Sequence, residues 1–337
     1  MNIYILAFLL LFQFSFSFDP PLELPQSSPL PNCQLTQKKV TAGAANIIFK
    51  STDAGQTWHD ISEGLPENLQ AEDFPRDGFF ASDRGLYLRA GNGIFHSKLN
   101  ATPPFWQKEI FPDEHSSIVP GKTGTLAYNC DDQFLQRITR TNVWLPMFTN
   151  FPKKEVHTIF ETAKGAVFIG SDNGLFRSID SGKSWKQVYN GGGVMKLAES
   201  NNVLVATSQR GIIRSTDDGE NWVYVISEGG VGIAVESIKG GFAAITYNIK
   251  SETRRVRTSY DGGKTWQAID AGLPADFSIA SIIQVGDYFF CGHPDGIFRS
   301  SDKGKTWKLL LPSIESKVFN LYVSDNVIYA IPRSGGC

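Results

Sequence analysis

The sequence predicts an all-β fold, a single seven-bladed β-propeller of four-stranded blades, and three observations support this prediction. Tryptophans recur along the 337 residues at intervals of 37 to 48 residues, and a period near forty residues is typical of a propeller blade. Five of the seven repeats end in closely similar eight-residue boxes. The two ends of the chain complete one another, as a closed ring requires. The tryptophans are Trp58, Trp106, Trp144, Trp185, Trp222, Trp266 and Trp307.

One repeat, taken from residue 156 onward, illustrates how the residues form a blade. Runs 156–162 and 166–171 are rich in β-branched and aromatic residues and flank a tight turn at Lys164-Gly165. Shorter runs at 174–178 and 184–188 follow. This order predicts four antiparallel strands, with the box in the hairpin loop between the third and the fourth.

Each complete box begins with Ser-x-Asp-x-Gly and ends at the tryptophan. Aspartate and serine side chains can bond to loop amides, and glycine adopts a positive φ without steric cost. The tryptophan is expected to bury its ring between adjacent sheets, while its N–H group still needs a partner. We therefore interpret the boxes as structural elements. Their residues are Ser51, Asp53, Gly55 and Trp58; Ser178, Asp180, Gly182 and Trp185; Ser215, Asp217, Gly219 and Trp222; Ser259, Asp261, Gly263 and Trp266; and Ser300, Asp302, Gly304 and Trp307.

A basic residue precedes the box at a similar position in five repeats. A charge that recurs once per blade indicates a structural role, and we expect it to be solvated on the outer half of each sheet. These residues are Lys50, Arg177, Arg214, Arg257 and Arg299.

The two ends of the chain together supply one blade. After Trp307, residues 318–323 and 327–331 predict the first two strands of a blade, whereas the repeat at 46–61 supplies only a third and a fourth. Strands from both termini would thus close the ring and leave no exposed edge.

The residues before the repeats predict export. Residues 1–17 are apolar and uncharged, and Ser15 and Ser17 are the small residues that a signal-peptidase site requires, so we expect cleavage after Ser17. An uncleaved N-terminal anchor is the alternative. Residues 18–42 read as a proline-rich leader and residues 43–337 as the propeller. The mature chain would be periplasmic, on the cell surface or extracellular, with no membrane span.

The charge and motif content exclude several classes of partner. The formal net charge of −2 gives no general attraction to nucleic acid. The sequence has no phosphate-binding loop, nucleotide fingerprint or metal-ligand spacing. We therefore expect no nucleic-acid partner, no cofactor and no metal, and we expect the chain to be monomeric.

Four cysteines in an exported chain suggest a disulfide bond. Cys33 and Cys337 flank the point where the ring closes, so we favour this pair. Cys130 and Cys291 belong to blades on opposite sides of the ring, farther apart than the roughly 7 Å between Cα atoms that a disulfide can bridge. The absence of any disulfide is an open alternative.

The box pattern resembles the Asp-box, also called the bacterial neuraminidase repeat or BNR. Five boxes in frame carry the resemblance, which covers about residues 44–337. It implies a propeller whose boxes are fold elements on the face away from the usual binding site. In size and layout the chain is similar to the photosystem II stability/assembly factors and to sialidase- and glycosidase-like Asp-box propellers.

The departures from these families narrow the comparison. A sialidase would resemble a six-bladed propeller with an Arg-Ile-Pro motif, and this sequence has no Arg-Ile-Pro. The xyloglucan-cleaving enzymes resemble two facing propellers, and a sortilin-type receptor adds a cysteine-rich module and a membrane span. The assembly-factor group matches best in size and in having one ring. The resemblance identifies an architecture rather than an activity.

The face opposite the boxes is the predicted binding face, because the second-to-third strand turns and the longer links meet there. Its basic residues suit the carboxylates of a peptide terminus or of an acidic glycan. Segment 247–255 is the longest of the predicted turns between second and third strands, and it carries two of these basic residues. The binding candidates are Arg210, Arg254, Arg255, His293 and Arg333.

Carboxylates on the same face are the candidates for catalysis. A pair of carboxylates, one with a raised pKa, can hydrolyse a glycosidic bond. Aspartate is also a common turn residue for reasons unrelated to chemistry, so no catalytic residue is assigned. The candidates are Asp131, Asp132, Asp172 and Asp295.

The sequence therefore predicts an exported binding or assembly module that holds a protein segment or a polysaccharide. The absence of a convincing catalytic set favours a non-enzymatic role. The alternative is a carbohydrate-active hydrolase, a glycosidase that uses acidic residues at the mouth of the propeller.

Overall fold

A computed structural model confirms the predicted fold class. It describes residues 46–333 except for short gaps at 70–73, 75–77, 83–84, 92, 99, 104, 110–116, 122–123, 129–133, 139–140, 142, 149, 152–154 and 228. Within these residues the regular structure is 28 strands in seven four-stranded antiparallel sheets, with no helix that could cross a membrane. Several predictions lie outside the described residues: the signal peptide, the leader, Cys33, Cys130, Cys337, Asp131 and Asp132.

The strands are numbered in chain order, and the sheets are numbered as blades 1 to 7 from the blade that contains both ends. Blade 1 has β27 (Val318–Ser324), β28 (Val327–Arg333), β1 (Phe49–Ser51) and β2 (His59–Asp60); blade 2 has β3 (Phe79–Ser82), β4 (Gly85–Ala90), β5 (Gly93–Ser97) and β6 (Gln107–Lys108). Blade 3 has β7 (Ser117–Gly121), β8 (Gly124–Tyr128), β9 (Phe134–Ile138) and β10 (Val143–Met147); blade 4 has β11 (Val156–Glu161), β12 (Val167–Ser171), β13 (Gly174–Ser178) and β14 (Lys186–Tyr189). Blade 5 has β15 (Leu197–Ser200), β16 (Val203–Ser208), β17 (Gly211–Ser215) and β18 (Val223–Ile226); blade 6 has β19 (Gly230–Ile238), β20 (Gly241–Asn248), β21 (Thr253–Ser259) and β22 (Gln267–Ala268); blade 7 has β23 (Ser281–Val285), β24 (Tyr288–His293), β25 (Gly296–Ser300) and β26 (Lys308–Pro312).

Blade 1 closes the ring as predicted. Its sheet has the order β2-β1-β28-β27, so strands from the two ends of the propeller lie side by side. Phe49 of β1 pairs with Ala330 of β28, and Val318 of β27 pairs with Arg333. Ring closure therefore depends on hydrogen bonds between residues almost 300 positions apart in the chain.

The antiparallel order fixes two faces. The first strands of neighbouring blades contact one another, for example β3 with both β27 and β7, so these strands surround the propeller axis. Each chain reversal between first and second strands lies at the same end as the box, and we call this end the box face. The turns between second and third strands, and the links between blades, lie at the opposite end, which we call the turn face.

The hydrophobic core lies between the blades, because both faces of each sheet are covered by a neighbour. Trp58 of blade 1 packs with Phe290 and Ile297 of blade 7, and Trp222 of blade 5 meets Phe168 of blade 4 edge to face. Burying such aromatic side chains contributes about 1.5–3 kcal/mol each relative to exposure. The box tryptophans thus pack between sheets, as their spacing suggested.

All five complete boxes use the same hydrogen bonds. The serine hydroxyl donates to the aspartate at 2.7 to 2.8 Å and accepts the glycine N–H at 2.8 to 3.0 Å. The aspartate also accepts the backbone N–H and the side chain of the seventh box residue. The box glycines have φ values from 77° to 84°, in the left-handed region that favours glycine.

The indole N–H groups of the boxes find different partners. Trp222 and Trp266 each donate to the carbonyl of their own box glycine, at 3.0 and 3.1 Å. Trp307 donates to Ile269 at 2.7 Å. Those of Trp58 and Trp185 are buried without a hydrogen-bond partner among the described residues. The expectation that each indole N–H needs a partner therefore holds for only three of the five boxes.

The once-per-blade basic residues were expected to be solvated, and this expectation is wrong for the four arginines. Arg257 is buried, and the other three contact the box of the next blade. The Arg214 Nε of blade 5 donates to Gly262 in the box of blade 6, and Arg299 Nη1 of blade 7 donates to Ala54 in the box of blade 1. Arg177 of blade 4 forms an ion pair with Glu220 in the box of blade 5. Each box is packed against the preceding blade, so the guanidinium reaches it directly. These arginines fasten one blade to the next.

Blades 2 and 3 are joined differently. Arg137 stands in β9 at the position that the arginines above occupy in the third strands of their blades. It points back to blade 2, where it donates to the Tyr87 hydroxyl at 3.0 Å and to Glu109 Oε1 at 2.9 Å. Both charged side chains of this ion pair are largely buried. The direction of the contact is opposite to that of the arginines that bind boxes.

The segment 247–255 is not a long loop. Most of it extends β20 and β21, and the turn between them comprises only residues 249–252. Asn248 Oδ1 accepts the N–H groups of Lys250 and Ser251, at 2.9 and 3.1 Å. The hairpin of blade 6 is therefore longer than those of the other blades and ends in a turn held by hydrogen bonds.

Candidate functional site

The arginines of the blade 6 hairpin are engaged within the protein. Arg254 is buried, donates from Nη1 to the Ile279 carbonyl at 2.7 Å, and holds the link to blade 7. Arg255 forms a bidentate ion pair with Asp270, with N···O distances of 2.7 and 3.0 Å. The structure thus places Arg254 in the wall of the turn face, whereas Arg255 is partly exposed but paired with Asp270.

His293 also lies in this wall. Its ring is almost fully buried, accepts the Asp295 N–H at Nδ1 and donates from Nε2 to the Pro274 carbonyl at 2.9 Å. These bonds fix the tautomer and attach the link between blades 6 and 7 to β24. The carboxylate of Asp295 is exposed beside the ring, 3.4 Å from Nδ1.

Arg333 is separate from these residues. It ends β28 on the turn face of blade 1, opposite Val318 in the register. The five basic candidates therefore do not form one patch.

Asp172 lies in the turn after β12, and the sequence analysis missed its partner. His157, at the start of β11, places Nε2 2.5 Å from Asp172 Oδ1. The hydrogen bond from His157 is the main cause that holds the pKa of Asp172 below its usual range. This carboxyl is ionised at neutral pH, whereas a general acid for glycoside hydrolysis needs a raised pKa.

The turn face of blade 5 carries a cavity. It has a volume of about 310 Å³, at the lower end of the size range of small-ligand pockets. Side chains from two neighbouring blades and the link between them surround it, including the predicted binding candidate Arg210. The lining residues are Gln209, Arg210, Tyr224, Ser227, Gly229 and Ile249.

Two exposed apolar side chains line this cavity. Tyr224 belongs to the outer strand β18 of blade 5, and Ile249 begins the turn of the blade 6 hairpin; they are 40 % and 59 % exposed. Arg210 lies in the turn between β16 and β17, where its backbone N–H donates to Ser208 Oγ at 3.2 Å. The cavity therefore combines an aromatic ring, an aliphatic side chain, an amide and a guanidinium.

A second tyrosine extends the surface toward blade 4. The hydroxyl groups of Tyr189 and Tyr224 lie 2.5 Å apart, and their rings meet edge to face. Burial, followed by the hydrogen bond to Tyr224, raises the pKa of Tyr189 to about 12, while Ser208 and Arg210 act in the opposite direction. The phenol of Tyr189 is therefore neutral at physiological pH, and both hydroxyl groups can donate or accept hydrogen bonds.

A run of three glycines lies below this surface. A side chain at Gly191 would overlap the Tyr189 hydroxyl, and one at Gly192 would overlap the Gln209 amide. Gly192 also has a positive φ of 108°. The glycines therefore allow the Tyr189 and Gln209 side chains to lie directly over the backbone link between blades 4 and 5.

Among the residues of this surface, the sequence pattern predicted only Arg210 as a binding candidate. Gln209 and Ile249 fell in segments assigned to this face without being singled out, and Tyr189 and Tyr224 were missed. The run Gly191–Gly193 was the available signal, since three consecutive glycines in a link mark a close approach of other groups to the backbone. Among the described residues, no group of three or more histidine, cysteine, aspartate and glutamate side chains is arranged to hold a metal ion.

Sequence comparisons identify no relatives: no protein-family model and no curated protein matches the chain. The fold is similar to that of virginiamycin B lyase from Staphylococcus aureus, in complex with quinupristin, with a TM-score of 0.59, 15 % identity and coverage of 77 % of this chain and 95 % of that one. It is also similar to YCF48 bound to D1 peptide, with a TM-score of 0.50, 13 % identity and coverage of 77 % and 95 %.

A third similar structure is the extracellular domain of a one-component system from B. thetaiotaomicron. The TM-score is 0.58 and the identity 12 %, over 76 % of this chain and 38 % of that protein. At such identities the three structures show a shared propeller fold, and the functions of propellers differ widely.

Proposed function

We propose that this chain is an exported, non-catalytic Asp-box propeller that binds a protein segment on its turn face. The observation that carries the proposal is the cavity between blades 5 and 6, with Tyr224 and Ile249 exposed around it. Exposed aromatic and aliphatic side chains beside a cavity are typical of the anchoring part of a protein interface.

Three further observations support the proposal. The five boxes share one hydrogen-bond pattern, which supports membership of the Asp-box class. The complex of YCF48 with a peptide and the extracellular propeller from B. thetaiotaomicron are similar in fold and are consistent with an exported, peptide-binding protein. The largely apolar stretch at residues 1–17 supports export of the mature chain.

A protein segment suits the cavity better than a polysaccharide. Sugar sites commonly rely on flat aromatic rings surrounded by polar groups, whereas here one side is the branched aliphatic Ile249. Other apolar side chains are exposed on the same face, including Met195 and Phe277 in the links of blades 4 and 6. Aliphatic contacts favour the side chains of a peptide.

The glycosidase alternative receives less support. Of the catalytic candidates in the described residues, Asp172 is held ionised by His157, and Asp295 lies on blade 7, three blades away from it in the ring. Hydrogen bonds also hold the pKa values of the box aspartates below their usual range, so these carboxyls are unsuited to act as a general acid. Release of reducing sugar from plant, bacterial or sialylated polysaccharides by the folded protein would establish this alternative instead.

Selection from a displayed library of random linear peptides tests the proposal. We expect reproducible enrichment on the wild-type protein and loss of binding in Tyr224→Ala. Tyr260→Ala is the matched control, because Tyr260 is a similarly exposed tyrosine in a box on the opposite face. Equal peptide binding by both variants would refute this site, and failure to select any peptide on the wild-type protein would refute the function.

A further inference from the structure

The cavity between blades 5 and 6 has a shape that is set before any ligand arrives. Ile249 stands at the start of a turn whose amides are bonded to Asn248 Oδ1. Tyr224 is held by its hydroxyl contact with Tyr189. Since neither apolar side needs to be ordered on binding, the entropic cost of association is reduced.

Arg210 differs from the other turn-face arginines of the neighbouring hairpin. Arg255 is paired with Asp270, and Arg254 is buried against the carbonyl of Ile279. Arg210 is exposed, lines the cavity, and has no carboxylate within ion-pair distance among the described residues. Its guanidinium is therefore available to a ligand, and a guanidinium recognises a carboxylate through paired, charge-assisted hydrogen bonds.

Groups next to Arg210 add to its preference for a carboxylate. The Gln209 amide lines the same cavity, and the phenol of Tyr189 lies close enough to Arg210 to sense its charge. These groups supply neutral hydrogen-bond donors beside the cation. The cavity thus presents an apolar part and an anion-binding part next to each other.

We propose that the occupant is an extended peptide that places a large apolar side chain between Tyr224 and Ile249 and an aspartate or glutamate against Arg210. This inference rests on the proposed function and specifies its ligand. Side chains two residues apart lie on the same face of an extended chain. The acidic residue is therefore internal to the segment and stands two positions from the apolar anchor.

The test uses random linear peptides with both ends blocked, selected on the wild-type protein. We expect enrichment of an apolar residue with aspartate or glutamate two positions away. A synthetic peptide of this kind should lose about tenfold or more in affinity when its acidic residue is replaced by the amide, or when the protein carries Arg210→Glu. In a selection on Arg210→Glu, lysine or arginine should replace the acid.

Lys183→Glu is the matched control, because it makes the same charge change in an exposed box residue on the other face. It should leave both the affinity and the selected sequence unchanged. The melting temperature of each variant shows whether it is folded. Because Arg210 is exposed, its replacement is expected to leave the fold intact.

The possible results separate the two proposals. Peptides that need Tyr224 but show no acidic residue, and bind Arg210→Glu equally well, would overturn the inference and leave the proposed function standing. Binding that requires a free C-terminal carboxylate would overturn the internal acidic position. Binding of polygalacturonate that is competed by no peptide would overturn both.

Discussion

Blades 1 and 4 to 7 carry a complete box, whereas blades 2 and 3 do not, and the two regions join neighbouring blades by different means. Where a box is present, its glycine packs against the preceding blade. In blades 1, 5 and 6 an arginine of the preceding blade also reaches the backbone or the acidic residue of the box. Between blades 2 and 3, a buried ion pair of Arg137 and Glu109 takes this role.

The difference follows from the space that a box occupies. A Cβ at Gly219 would lie 2.3 Å from Phe168 Cζ of the preceding blade, so only glycine allows this approach. In blade 3 the residues between β9 and β10, 139–142, include no glycine, and the side chains at the junction with blade 2 include Tyr87. Box junctions therefore combine the hydrogen bonds of the box with contacts from the preceding blade, such as the partly exposed ion pair of Arg177 and Glu220. The junction of blades 2 and 3 instead contains a largely buried charged pair.

The largest expected effect is at that charged pair. Glu109→Gln leaves the buried Arg137 without its anionic partner, and breaking a buried pair in this way typically costs about 3–5 kcal/mol in the free energy of unfolding. The Tyr87 hydroxyl remains as a partner of Arg137. Chemical denaturation monitored by tryptophan fluorescence measures the loss.

Glu236→Gln is the matched control in the region with boxes. Its ion pair with Lys196 is partly exposed, and such pairs contribute about 0–1 kcal/mol. Equal destabilisation by the two variants would show that burial does not distinguish the two regions.

A second comparison concerns the first serine of the box. Ser215→Ala removes the donor to Asp217 and leaves the buried Gly219 N–H without its acceptor, and we expect a loss of about 1–3 kcal/mol. Ser97 holds the equivalent position in blade 2 and makes only a 3.3 Å contact with the Lys98 carbonyl. Ser97→Ala should cost about 0.5 kcal/mol. If the order of these two losses were reversed in urea denaturation, the box would not be the stabilising unit.

The fold could be predicted from the sequence because its signals are local and repeated. The tryptophan period, the box glycines and the complementary strands at the two ends each depend on a few adjacent residues, for example Ser215 to Trp222. Ring closure followed from the same frame, and the pairing of β1 with β28 confirms it.

The site could be predicted only in part, because its residues come from three blades. Tyr189, Tyr224 and Ile249 meet only after blades 4 to 6 are placed side by side. Turn residues also look alike in sequence whether they face solvent or a link. Arg254 and His293 became binding candidates for this reason, although the links of blade 6 cover them.

The loss of folding stability at acidic pH should also differ between the blades with boxes and those without. Hydrogen bonds from the seventh box residue, Ser184, Asn221 or Thr306, lower the pKa values of Asp180, Asp217 and Asp302 to about 2. An unfolded aspartate titrates at about 3.9. Because the folded pKa is depressed, this stabilisation is present above about pH 4 and is lost as the pH falls toward 2.

Melting temperatures recorded from pH 5 to pH 2, in steps of roughly half a pH unit, check this expectation. The decline should be shallower in Asp217→Asn than in the wild-type protein, because the variant has already lost one titrating box. A replacement of exposed Asp295 by asparagine is the control, since that residue lies outside the boxes. An unchanged slope in Asp217→Asn would mean that the boxes do not contribute to acid sensitivity.

A small effect on stability is expected at a phenol contact between neighbouring blades, which each region possesses: Tyr224 on the outer strand β18 and Tyr87 on the inner strand β4. Tyr224→Phe removes a hydrogen bond between two neutral, partly exposed hydroxyls and should cost about 0.5 kcal/mol. Tyr87→Phe removes the acceptor of a buried guanidinium, and bonds to charged groups contribute about 1.5–3 kcal/mol.

Tyr224→Phe should nevertheless lower the pKa of Tyr189 from about 12 toward its ordinary value, without reaching it, because burial is the larger cause and persists. Carbon-13 NMR of labelled tyrosine rings follows this titration directly. A Tyr189 pKa that is unaffected by Tyr224→Phe would show that the two phenols do not interact, and that the blade 4 side of the cavity is held by the glycine link alone.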